Sequence, residues 1–121
     1  MAQNPVDSLQ AAQAGIRRVV LDNGLVVLLK QDRSAPLVAI QYWVNAGAIH
    51  EGAQLGGGLS HYLEHMVFKG TARRSPGQVS KEIADVGGEI NAYTSNDRTV
   101  FHVVLPATHW LVGLDVLTDA V

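Results

Sequence analysis

Runs of apolar residues separated by turn-forming residues predict five β-strands in this chain. The first two runs flank Asn23-Gly24, and an Asn-Gly turn between two apolar segments predicts a β-hairpin. The third run is rich in β-branched and aromatic residues, as strands are. The last two runs flank a polar turn at residues 95–97 and predict a second hairpin. The predicted strands are residues 16–21, 25–30, 37–44, 89–94 and 99–105.

Three helices are predicted among these strands. The first spans about residues 59–69 and follows three glycines. The second is predicted to begin with Ser75 as the N-cap, Pro76 as the first helical residue and Gln78 as the partner in a capping box. These elements together predict an α+β fold, a mixed β-sheet with helices packed on one face. The apolar stripe of the second helix consists of Val79, Ile83 and Val86.

The last predicted helix follows Thr108 and lacks an ordinary C-terminus. It has no C-cap glycine, and Asp115 and Asp119 carry the wrong sign for the negative end of a helix dipole. We therefore expect the native protein to continue beyond Val121, so that the chain is truncated at the C-terminal end of its domain.

Composition excludes several classes of function. A net charge of −2 without a basic run gives no indication of a nucleic-acid partner, and no apolar stretch is long enough to span a bilayer. The chain has no cysteine, which removes disulfides and thiolate zinc sites. Residues 1–15 are interpreted as a flexible leader, because they lack the features of a secretory signal or a transit peptide. The adjacent arginines Arg73 and Arg74 are predicted to lie in a loop with their side chains exposed to solvent.

The first predicted helix has two contrasting faces. At 100° per residue, one face is apolar and is expected to pack against the sheet, while His61, Glu64 and His65 lie on the opposite face. Phe68 lies among these polar residues, which indicates that they line a covered cleft. The apolar face consists of Leu59, Tyr62, Leu63, Met66 and Val67.

His61 and His65 are one helical turn apart, so both imidazoles can reach one zinc ion at about 2.0–2.1 Å. Glu64 lies beside them and can take a proton from a water that zinc activates. His-x-x-Glu-His is the inverzincin pattern. The alternative is that the two histidines and the glutamate simply lie on a solvent-exposed helix face and bind no metal. The candidates for a third zinc ligand within the chain are weak, because each is more readily explained as an ordinary structural or surface residue. They are His50, Glu51, Glu82, Glu89, Asp97, His102 and His109.

The context of this pattern resembles the pitrilysin/insulinase family of zinc metallopeptidases. The resemblance rests on "GGGLSHYLEHMVFKGTARRS" followed by "GGEINAYTSNDRTVFHVVLP", and it runs from about Ile16 to Val121. The branch with mitochondrial processing peptidase β subunits and bacterial relatives is the most similar. The resemblance implies that residues 16–121 are the N-terminal portion of a pitrilysin-like zinc peptidase domain.

The resemblance also implies roles for individual residues. His61 and His65 would be zinc ligands, Glu64 the general base, and a third ligand, a glutamate, would follow Val121. Asn91 and Ala92 would contact the backbone of a substrate that pairs with their strand. The family often has arginine at position 49, where this chain has isoleucine, which puts the packing of that loop in doubt.

The function implied is zinc-dependent endopeptidase action on peptides or short unfolded polypeptides. A second family domain or subunit is expected to close the cleft, and residues 1–121 alone are expected to be inactive. The alternative is a non-catalytic structural or partner-holding subunit of the same family, but such relatives usually lose a ligand or the base. The compartment is unknown, with a bacterial cytoplasm or periplasm favoured over a mitochondrial matrix.

Overall fold

A computed structural model describes residues 15–121, which fall into two compact units, residues 15–35 and Pro36–Val121. The predicted leader lies outside the described residues apart from Gly15. No helix in the described part is long and apolar enough to cross a membrane. The elements are β1 (Ile16–Val20), β2 (Val26–Lys30), β3 (Leu37–Val44), α1 (Leu59–Val67), α2 (Gln78–Asp85), β4 (Glu89–Thr94), β5 (Thr99–Pro106) and α3 (Trp110–Ala120), with short 3-10 helices at Ala48–His50, Gly52–Gln54 and Ala107–His109.

The described part of the first unit is the predicted hairpin. Strands β1 and β2 are antiparallel, with Val20 opposite Val26 at the end of the ladder. The loop between them is closed by the Leu21 amide, which donates to the Leu25 carbonyl at 2.9 Å. Gly24 has a φ of +86°, a left-handed conformation that glycine adopts without steric cost. The turn signal at residues 23–24 is therefore confirmed.

The second unit is built on a three-stranded sheet in the order β3-β5-β4. Both pairings are antiparallel, and β5 is the central strand because it pairs with β3 on one side and β4 on the other. Among the described residues β4 is consequently an edge strand. The predicted α+β class, the third strand and the second hairpin are confirmed.

The hydrophobic core lies on one face of this sheet. Strand β5 contributes alternate side chains, and all three helices pack against the same face, as predicted. The stripe on α2 is confirmed, since Val79 and Ile83 are fully buried and Val86 packs against them. The buried members of the core are Val79, Ile83, Phe101, Val103, Leu105, Val116 and Leu117.

Helix α2 begins two residues later than its capping signal predicts. Gly77 has a φ of +82°, so the chain enters the helix from a turn and the first helical residue is Gln78 rather than Pro76. Ser75 is therefore not the N-cap. One half of the capping box forms nevertheless, because the Ser75 amide donates to the Gln78 side-chain oxygen at 3.1 Å.

The interpretation of Arg73-Arg74 as solvated surface is wrong for Arg74. Its side chain is only 9% exposed and forms ion pairs with Glu82 on α2 and with Asp115 and Asp119 on α3. The Arg74–Asp119 pair measures 2.7 Å between Nη1 and Oδ2. Arg73 also bonds to both aspartates, but its side chain is 58% exposed.

This network explains the acidic residues near the end of α3. Bonds from Arg74 and Arg73 hold the pKa of Asp115 below its ordinary value, and bonds from the Thr71 hydroxyl, Arg73 and Arg74 lower the pKa of Asp119. Asp115 and Asp119 form ion pairs with the loop after α1. This pairing explains why acidic residues occupy the end of α3 where the helix dipole disfavours them. The loop, α2 and α3 are joined through Arg74.

We predict that Arg74→Met lowers the free energy of unfolding by about 2 kcal/mol, because the variant removes the cation shared by three carboxylates, of which Asp119 is only 11% exposed. Arg73→Met is the matched control, since it removes a neighbouring arginine that is mostly exposed, and a much smaller loss is expected. Urea denaturation of the protein at neutral pH measures both. Equal losses for the two variants would show that burial of Arg74 adds no stability.

Candidate metal centre

Helix α1, which carries the histidine pair, begins at a cap supplied by a distant residue. Gly58 precedes the helix with a φ of +73° and offers no side chain to cap it. The Glu51 carboxylate accepts hydrogen bonds from the Ser60 amide at 2.8 Å and the Gly58 amide at 3.3 Å. The Ser60 bond, chiefly, lowers the pKa of Glu51. A carboxylate at this end of the helix is favourable because the amide dipoles point towards it.

The loop that carries Glu51 is held by backbone contacts with the turn after β4. The Ile49 amide donates to the Asn96 carbonyl at 2.9 Å, while the Ile49 side chain is 60% exposed. A Cβ atom at Gly47 would lie 2.5 Å from the Ser95 carbonyl oxygen, so glycine is required there. The loop therefore packs without the arginine that the family often has at position 49.

The predicted orientation of α1 is wrong. Glu64, predicted to lie on the face of α1 opposite the sheet, is instead buried at 8% exposure against the sheet. Tyr62, expected to pack on the sheet, is 64% exposed. Val67 and Phe68 do pack against the core, and Phe68 meets Phe101 edge-on. Three further members of the predicted apolar face are exposed among the described residues: Leu59, Leu63 and Met66.

His61 and His65 lie side by side on the exposed surface of α1. Their Nε2 atoms are 3.1 Å apart, and the ring centroids are separated by 4.6 Å. Two nitrogens that share a tetrahedral zinc at 2.0–2.1 Å are about 3.3 Å apart. The pair is thus already close to the separation that shared coordination requires, and its two nitrogens fit a zinc ion.

Glu64 is turned towards the sheet rather than towards solvent. Its Oε2 accepts a hydrogen bond of 2.6 Å from the hydroxyl of Thr94, the last residue of β4. The residue also lines a small cleft of about 60 Å³ between α1 and the ends of β3 and β5. Its other oxygen, Oε1, accepts no hydrogen bond from any residue the structure describes. One carboxylate oxygen is fixed and one is available to a proton donor.

No group of three histidine or acidic residues that could hold a metal occurs within residues 15–121. Several weak candidates for a third ligand have other partners. Glu51 caps α1, Glu82 binds Arg74, and His50 Nδ1 accepts a hydrogen bond from the Gly47 amide at 3.2 Å. The described residues thus offer a pair of neighbouring histidines.

Asn91 and Ala92 lie on β4, at the open edge of the sheet. The Ser95 amide donates to the Arg98 carbonyl at the start of the β4–β5 ladder, so the alternation of an antiparallel pair directs the peptide groups of Ala92 and Thr94 away from β5. In agreement, the Ala92 amide donates to its neighbour's side chain, Asn91 Oδ1, at 2.9 Å. The backbone of Ala92 is thus directed outwards, two residues from the one that binds Glu64.

The sequence model of the insulinase family, peptidase family M16, matches residues 26–121. The chain belongs to this family. Its relatives include an uncharacterized zinc protease of Bacillus subtilis (strain 168), 36% identical over 86% of this chain, and a probable mitochondrial-processing peptidase subunit beta of Arabidopsis thaliana, 39% identical over 85%. An uncharacterized zinc protease of Mycobacterium leprae (strain TN) is 30% identical over 99%.

The chain spans only part of these insulinase-family relatives, namely 25%, 19% and 27% of their respective lengths. The named relatives come from bacteria and from mitochondria. The expectation of a bacterial cytoplasm or periplasm stays a prediction.

The roles of two residues at this site do not follow from the sequence. The sequence assigns no role to Thr94, because a threonine at the end of an edge strand gives no sign of a partner 30 residues earlier in the chain. Glu51 was considered only as a weak metal ligand. Its role as a cap depends on how the loop folds back onto the glycines before α1.

Proposed function

We propose that the protein containing this chain is a zinc-dependent metalloendopeptidase that cuts peptides or short unfolded polypeptides. His61 and His65 are two of its zinc ligands and Glu64 is its general base. The observation that carries the proposal is the 3.1 Å separation of the two Nε2 atoms on the helix that also presents Glu64. Membership of a peptidase family, with relatives named zinc proteases, supports it.

The residues of α1 divide the chemistry between them. Bound zinc would polarise the scissile carbonyl and lower the pKa of the attacking water towards about 7. Glu64 accepts the proton of that water at Oε1 and then delivers it to the leaving amine. His61 and His65 hold the ion as neutral imidazoles, each with its second ring nitrogen left for another partner. A third ligand, a glutamate, is proposed to follow Val121.

The substrate is proposed to bind as an added strand on the edge of β4. An extended peptide placed there forms main-chain hydrogen bonds to the outward amide and carbonyl of Ala92. Asn91 Oδ1 occupies that amide in the structure, so the side chain of Asn91 has to turn away and is then free to bind the peptide backbone. This mode of binding selects extended or unfolded polypeptides. The second domain or subunit expected to close the cleft stays a prediction.

We predict that Glu64→Gln in the full-length protein lowers kcat by roughly 100-fold to 10,000-fold, because glutamine cannot accept the proton of the attacking water. Zinc content should be unchanged, since the two histidines remain. Cleavage of a fluorogenic peptide and zinc analysis of the same preparation measure the two effects. Loss of zinc from the variant would make Glu64 a ligand, whereas a wild-type protein that binds zinc but cuts nothing would favour the non-catalytic subunit.

Ala92→Pro is predicted to lower kcat/KM by roughly tenfold or more, because proline has no amide hydrogen for the substrate strand. The sheet should tolerate the change, since this amide faces away from β5 and proline is accepted on edge strands. Ala92→Ser, which keeps the amide, is the matched control. Equal kcat/KM values for the two variants, measured at equal zinc content, would rule out strand addition at this position.

A further inference from the structure

Glu64 is the buried member of the His61–Glu64–His65 group, and its position depends on one neutral partner. A carboxylate at 8% exposure needs a hydrogen-bond donor to replace the water it has lost. Within the described residues, the donor is the Thr94 hydroxyl, at 2.6 Å from Oε2. This bond is short and charge-assisted, the kind that contributes more than an ordinary neutral one.

Thr94 lies beside a second threonine that could compete for its hydroxyl hydrogen. Thr99, directly opposite on β5, is buried and donates its hydroxyl hydrogen to the Ala46 carbonyl at 2.7 Å. The two threonine oxygens are 3.2 Å apart. Since Thr99 uses its only hydrogen on Ala46, it can only accept from Thr94, and the single hydrogen of Thr94 goes to the nearer and charged acceptor, the Glu64 carboxylate at 2.6 Å. Threonine is also restricted at χ1, so the hydroxyl of Thr94 has few alternative positions.

Thr94 also belongs to the strand proposed to receive the substrate. Its peptide groups face the same open edge as those of Ala92, while its side chain points to the helix-covered face and meets Glu64. One residue therefore touches both the base and the edge along which an extended peptide would lie.

We propose that Thr94 is a positioning residue, which holds Oε2 of Glu64 so that Oε1 stays directed at the attacking water, and which ties the base to the substrate-binding strand. This inference rests on the proposed peptidase function. A base that is held before the substrate arrives does not have to be ordered during the reaction, and a misplacement of about 1 Å can cost 100-fold in rate. The effect is therefore expected in kcat rather than in the binding of zinc.

The first test compares Thr94→Val with Thr94→Ser in the full-length zinc protein. Valine has the shape of threonine without the hydroxyl, so kcat should fall by roughly 10-fold to 100-fold, with KM and zinc content nearly unchanged. Serine keeps the hydroxyl and should restore most of kcat. Thr118→Val, which removes a hydroxyl bonded to Tyr42 and the Leu114 carbonyl, is the control expected to keep full activity. A Val variant with wild-type kcat, or a Ser variant as slow as Val, overturns the inference.

The second test needs no peptidase activity. Melting temperatures of the zinc-free protein are compared for Thr94→Val made in the wild type and in a Glu64→Ala background. With Glu64 present, valine leaves a buried carboxylate without its donor, so the melting temperature should fall. Without Glu64, the same change should have little effect. Equal shifts in both backgrounds overturn the inference. A zinc-loaded wild type that cleaves no peptide overturns the proposed function instead, and the melting comparison still tests whether Thr94 holds Glu64.

Discussion

The hydrogen bond between Thr94 and Glu64 sets the rotation of α1 about its own axis. With the carboxylate bound to the sheet at 2.6 Å, the face of α1 that carries Tyr62 is turned outwards and the two histidines lie together at the exposed surface. The helix start is fixed separately by Glu51, which accepts the amides of Gly58 and Ser60. A polar contact in its middle and a cap at its start thus act together with the packing of Val67 and Phe68 on the core to orient α1.

Local patterns predicted the elements well, because their causes lie within a few residues. The Asn23-Gly24 turn and the stripe of α2 follow from turn chemistry and helical spacing. The orientation of α1 did not follow, since helical spacing assigns the apolar face to the core and cannot anticipate a buried acid with a partner on β4. Arg74 was misjudged for the same reason: Glu82, Asp115 and Asp119 lie 8, 41 and 45 residues further on.

The candidate site joins two elements that the sheet order brings together. Strand β4 lies at the edge of the described sheet, so the peptide groups of Ala92 and Thr94 face outwards, and its last residue reaches the proposed base. Arg74 holds the loop between α1 and α2 against α3, which supports the same face of the sheet. The motif on α1 was evident from the sequence, but its link to β4 required the fold.

The central claim is that His61 and His65 bind one zinc ion together. Zinc-edge X-ray absorption on the full-length protein, compared with His61→Ala and His65→Ala, tests it most directly. The account predicts imidazole scattering from nitrogens at about 2.0–2.1 Å, together with a marked loss of zinc in each variant. Stoichiometric zinc with an unchanged imidazole signal in both variants would contradict it.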